Sequence, residues 1–264
     1  MSLLPAITSE WIKFRTLRST RYALLATVVL SIGLGALVCY AQRHAWSTET
    51  YPEHQAFDPT ATALSGFFFA EIAIGVIGVL IMSSEYSSGS IRSTLGATPV
   101  RLVVLCAKAV VLFLATFVVA EVCSFGSFFV GQAILSGVTT TATLRTPGAL
   151  EAVVLGGLSL SILALLALGL ATMLRHTAGS ITVYVALTFV LFLIVLALPS
   201  SWGIHVFKYL PEILTGSMRS TRAANASGAQ YGALYSPLVS TLILSSYAVA
   251  SLIAGGLLLV RRDA

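Results

Sequence analysis

Six stretches of the chain, residues 22–41, 61–84, 109–131, 152–174, 177–198 and 238–260, are each long and apolar enough to cross a lipid bilayer as a helix. A helical residue advances ~1.5 Å, so a hydrocarbon core of ~30 Å takes about 20 of them. Lipid offers no hydrogen-bond partner, and the helix is the form in which a crossing segment satisfies its own backbone. The chain is therefore expected to be an all-α integral membrane protein, a single transmembrane domain over residues 1–264. Composition agrees, because 57% of the residues are apolar and only 9% charged, against roughly a quarter charged in a soluble domain.

Orientation follows from where the cations fall. With the N-terminus inside and six crossings, Lys13, Arg15, Arg18, Arg21, Arg92, Arg101, Lys108, Arg175, Arg261 and Arg262 lie on the inner side, and Arg43, Arg145, Lys208, Arg219 and Arg222 on the outer. Ten against five places both ends in the cytoplasm. These cations sit at the edges of apolar runs rather than on a stripe that could follow phosphates, which argues against nucleic acid as a partner. The first apolar run follows the basic stretch from Lys13 to Arg21, as a signal peptide would. Its apolar part exceeds the ~7–15 residues of a signal core and ends in a poor cleavage site, so it is expected to be retained.

Cys39, Cys106 and Cys123 lack C-x-x-C spacing, and His44, His54, His176 and His205 lack any H-E-x-x-H pairing, so no metal or disulfide framework is read. Leu4, Ile7, Trp11, Phe14 and Arg18 recur at helical spacing with Lys13 and Arg15 flanking them. Such a pattern fits an amphipathic helix lying in the inner interface, or a plain extension of the first span. Residues 199–237 are too apolar for a solvated loop; short helices in the outer leaflet are expected there, with Pro211 opening one. Glu71 and Glu121 are expected mid-way along the second and third spans. Ionisable groups there either line a translocation path or serve as structural groups bonded to Ser65, Ser124 or Ser127.

After the second span comes Glu85-Tyr86-Ser87-Ser88-Gly89-Ser90-Ile91-Arg92-Ser93-Thr94-Leu95-Gly96-Ala97-Thr98-Pro99-Val100-Arg101. Glu85 suits the positive end of a short helix, Ile91 and Leu95 share a face, and Pro99 ends it before Arg101 and Lys108. The stretch resembles the first cytoplasmic loop of type-2 ABC transporter permeases: an acidic residue, Gly-Thr or similar, apolar positions, a proline and a basic residue. Glu85, Gly89, Ser90 in the usual place of Thr, Ile91, Leu95, Pro99 and Arg101 carry the match, and the resemblance implies that these, with Arg92, couple to an ATPase. The layout is similar too, with the basic N-terminus holding Trp11, Lys13, Phe14 and Arg15, six spans, a long apolar outer segment and a basic end.

The resemblance implies a permease that is not itself an enzyme, paired with a second permease copy in a bacterial plasma membrane. A separate cytoplasmic ATPase carries ATP and Mg and docks on the helix after the second span. The substrates would be hydrophobic drugs, peptides or envelope components. In agreement, no G-x-x-x-x-G-K-[ST] phosphate loop occurs in the chain. Its 12 arginines against 3 lysines resemble the usage of a high-GC bacterium such as an actinomycete. The alternative is an ion-coupled transporter or channel using Glu71 and Glu121 as a proton relay.

Overall fold

A computed structural model of the chain describes residues 3–48, 51–91, 94, 96, 100–197, 206–221 and 234–261. Among these the structure is all-α, and six helices are long and apolar enough to cross a membrane. Helix α1, Leu3–Thr16, leads through an extended Leu17 into the first span, built from α2, Arg18–Val28, a π-helical stretch Val29–Leu34 and α3, Gly35–Ala45. Short helices α4, Tyr51–Ala56, and α5, Pro59–Ala63, precede the second span, α6, Phe67–Ser87. The third and fourth spans are α7, Arg101–Leu135, and α8, Ala149–Leu174. The fifth runs from α9, Thr177–Val185, through the π-helical Ala186–Val190 to α10, Leu191–Ala197. After α11, Pro211–Met218, the sixth span is α12, Pro237–Arg261.

The expected spans are all present with shifted boundaries, two of which have a local cause. The second begins at Phe67 rather than near residue 61. Asp58 caps the separate helix α5 by accepting from the Thr60 and Ala61 amides at 2.9 and 3.1 Å, with Pro59 at its first position. The chain then turns at Gly66, which passes so close to the Ser31 carbonyl and the Gly35 amide that any Cβ would collide with both. The third span reaches back to Arg101, because nothing between Arg101 and residue 109 breaks a helix. Pro211 does open α11, as the sequence led one to expect.

Helix α8 lies at the centre, packed by α6, α7 and α12. With no cytosol-like hydrophobic drive between helices in lipid, close backbone approach carries this packing, and small residues permit it. Gly78 of α6 abuts the Ala164 carbonyl of α8. Gly169 and Gly255 let α8 and α12 approach across Ser251 and Thr172. The Ser251 hydroxyl donates to the Ala248 carbonyl of its own helix at 2.8 Å and to the Leu166 carbonyl of α8 at 3.3 Å. At the α1 end of the bundle, Arg101 donates to the Leu259 carbonyl at 2.8 Å and Arg175 to the Leu258 carbonyl at 3.4 Å. Both set positive charge on the closing turn of α12.

Candidate functional site

Among the described residues two clusters of largely buried charge stand out, one toward each end of α6. At the α1 end, Glu85 lies in the last turns of α6 itself and not at the start of a separate short helix as its motif led one to expect. Its Oε1 accepts from Lys13 of α1 and Lys108 of α7, each at 2.8 Å. Glu10 closes the ring: Oε1 accepts from Lys13 at 2.8 Å and Oε2 from Lys108 at 2.7 Å. Lys108 is only 1% exposed, and both carboxylates are buried. Two cations and two anions balance, which is what makes ionised groups tolerable there. Partial burial pulls the Lys13 ammonium down, and the two carboxylates more than offset it, leaving it above its ordinary 10.5. A cavity of about 420 Å³ opens beside the ring, bounded by Leu17, Ser84, Ser90 and Thr94.

The loop that follows is described in part. Gly89 adopts φ +72°, a left-handed conformation that favours glycine, with open space around it. The Ser90 carbonyl accepts from the Thr94 amide at 3.0 Å, and Ile91, Thr94 and Gly96 are helical. Ile91 is buried in this chain's own core rather than presented outward. Arg92, Leu95 and Pro99 lie outside the described residues, and Arg101 is turned onto α12. In α1, Phe14 is buried while Trp11 is partly exposed; their rings stack 6.1 Å apart, and Arg15 is exposed.

The second cluster joins the outer segment to the spans. Glu71 is the fifth residue of α6, near its start and not mid-span, because the helix begins later than expected. It is fully buried and ion-paired to Arg219 Nη1 at 3.1 Å. Arg219 Nη2 lies 3.3 Å from Glu212 Oε1 and donates to the Thr215 hydroxyl at 3.2 Å. Burial pushes the Glu212 carboxyl well above its ordinary 4.5; the adjoining Glu71 carboxyl adds to this, and Arg219 opposes it. Tyr184 of α9 donates to the Glu71 carbonyl at 2.8 Å, its ring filling the space left by Gly75. Asp58 Oδ2 fastens the segment further, accepting from the Ser220 hydroxyl at 3.0 Å and the Thr221 amide at 2.7 Å.

Glu121 is half-buried on α7, its carboxyl seated on Gly157 of α8. Neighbouring Gly156 takes the stem of Arg219. The two intramembrane glutamates thus sit at nearby levels of α8, but in different surroundings. Neither Glu121 oxygen has a hydrogen-bond partner among the described residues. None of the serines expected to bond these glutamates does so: Ser124 donates to the Val153 carbonyl at 2.6 Å, and the Ser65 and Ser127 hydroxyls have no partner among the described residues. The partners sequence reasoning missed were Arg219 and Glu212. Their spacing of seven residues, two helical turns in an otherwise apolar segment, was the available signal.

Residues 6–195 match the family described as ABC-2 family transporter protein. No curated protein matches the chain. The matched region runs from α1 into α10 and contains the Glu10–Lys13–Glu85–Lys108 ring; Glu212 and Arg219 lie beyond it.

Proposed function

The chain belongs to the ABC-2 family of transporter proteins and is a membrane permease of an ABC transporter, and from that premise we propose that it serves an exporter driven by a separate cytoplasmic ATPase docking on the loop after α6. ATP and Mg²⁺ belong to that partner, since this chain carries no phosphate loop. Two permease copies form the pathway, and hydrophobic drugs, peptides or envelope components are the substrates. The α1 end faces the cytoplasm, following the ten-to-five excess of cations on that side.

The observation that supports this reading best is the grip on Glu85. A single carboxylate oxygen three residues before Ser88 is held by lysines from α1 and α7. A push on the loop therefore moves α1, α6 and α7 together instead of bending the loop alone, giving the partner a rigid element to bias between two states. The ion-coupled alternative draws less support, because Glu71 is fully buried and already answered by Arg219.

The test begins with gentle purification of the tagged chain from native membranes and mass spectrometry of what accompanies it. A stoichiometric ATPase bearing a phosphate loop is the expected result. Gly89→Val should then reduce stimulation of that ATPase by substrate while the chain still inserts and assembles. A chain that purifies alone and transports in response to a proton gradient would overturn the proposal.

A further inference from the structure

At the α1 end a wedge-shaped cavity of about 710 Å³ opens between α1, α2 and α7. Its size lies within the roughly 300–1,000 Å³ of small-molecule sites. Its existence follows from the backbone: the extended Leu17 turns the chain between α1 and α2, so the two helices diverge while α1 packs against α7. The walls are almost wholly apolar, with Trp11 and Phe14 from α1, Leu24 from α2, and Leu114 and Val118 from α7. Leu114 and Val118 are 56% and 63% exposed, so this face of α7 has no protein cover among the described residues.

Arg15 and Arg21 stand at the mouth, both exposed, and no carboxylate is among the residues lining the wedge. Arg21 donates to the Arg15 backbone carbonyl through Nε at 3.1 Å and Nη2 at 2.9 Å, which holds the Arg21 guanidinium beside residue 15. Along α7 the wedge extends from Val111 to Val119, a rise of about 12 Å. That is most of the ~15 Å depth of one leaflet's hydrocarbon.

We infer that this wedge is a binding site for one anionic phospholipid of the leaflet at the α1 end, an acyl chain lying along α7 and the phosphate meeting Arg15 and Arg21. Depth, apolarity and a purely cationic mouth together select this occupant. A neutral lipid would leave the two arginines without an anion, and a peptide would bring backbone groups that the apolar walls cannot satisfy. The site is independent of whether an ATPase drives the protein; it requires only that the chain sits in a bilayer.

Trp11 reports on occupancy. The chain carries three tryptophans, and Trp46→Phe with Trp202→Phe leaves Trp11 as the single fluorophore. The protein would be reconstituted in phosphatidylcholine containing a few per cent of dibrominated phosphatidylglycerol or, separately, dibrominated phosphatidylcholine. Half-maximal quenching should need on the order of tenfold less of the anionic lipid, as two arginines near a headgroup would give. Arg15→Gln with Arg21→Gln should bring the two curves together while leaving quenching in fully brominated bilayers unchanged. As a second measurement, native mass spectrometry of the chain with its natural tryptophans should show one phosphatidylglycerol retained, and its loss in the double arginine variant. Coincident curves for the two lipids, or a preference that survives removal of both arginines, would overturn the inference.

Discussion

Replacing Arg219 by Met removes the one cation that faces Glu71 and Glu212 among the described residues while keeping an unbranched stem to lie against Gly156. At 3.1 and 3.3 Å, each charge contact is worth about 5 kcal/mol gross at an effective dielectric constant of ~20. Most of that is offset by the cost of dehydrating the groups, so the net is read from the rule for breaking a buried pair, about 3–5 kcal/mol. For a chain of this length ~1 kcal/mol moves Tm by roughly 2–4 °C, giving an expected fall of about 6–20 °C in detergent. The decisive control is the same Arg219→Met change in a chain already carrying Glu71→Gln and Glu212→Gln. There the arginine has no anion to answer, and the change should cost under about 1 kcal/mol. Equal losses in both backgrounds, or a single variant melting within ~2 °C of the natural chain, would refute the assignment of Arg219 as the counter-charge.

The raised value of Glu212 means that the folded chain holds a proton that the unfolded chain releases. That stability is fully present below its ordinary 4.5 and is lost as pH rises through the raised value. Tm should accordingly decline above about pH 4.5, and Glu212→Gln should flatten the decline; an unaltered slope in the variant would exclude Glu212 as its source. A Cβ at Gly78 would meet the Ala164 carbonyl and, at 2.9 Å, the Ala167 Cβ, so Gly78→Ala should cost about 1–3 kcal/mol. Gly33→Ala, where nothing lies within 4 Å, serves as the nearly neutral control in the same melts. Asp58→Ala removes the cap of α5 and both bonds to Ser220 and Thr221. It should cost ~1 kcal/mol through the cap alone and accelerate tryptic cleavage after Arg219, whereas unchanged cleavage would show that Asp58 does not hold the segment.

The transmembrane architecture was legible because the apolar run needed to cross a bilayer is a local property of the chain. Pro211 was legible for the same reason, since a proline's suitability for a first helical position depends on its own ring. The start of α6 was not, because Gly66 owes its turn to Ser31 and Gly35, more than thirty residues away. The charged site divided along the same line. Glu85 and Lys108 stood out as individual residues, yet their ring required Glu10 and Lys13, contributed by α1 across a long separation in sequence. Glu71 was recognised as exceptional from its apolar surroundings. Its answering cation was assigned to the outer loop count, where Arg219 looked like an orientation signal rather than a buried partner.

The two clusters are joined by one helix and differ in charge balance. Glu71 and Glu85 are fourteen residues apart on α6, about 21 Å and nearly four turns, so they project from almost the same face. At the α1 end two lysines answer two glutamates, and the carboxylates need no proton to be neutralised. At the other end Arg219 answers two carboxyls among the described residues, and burial pushes Glu212 toward its protonated form. The balanced ring is therefore the stiffer joint and the arginine cluster the one whose strength follows the proton supply. A displacement entering α6 beside Glu85 reaches Glu71 through a continuous helix, and the bonds it next strains are those holding Arg219 and α11. Movement should consequently appear first in the segment around α11, with the α1 end travelling as a unit.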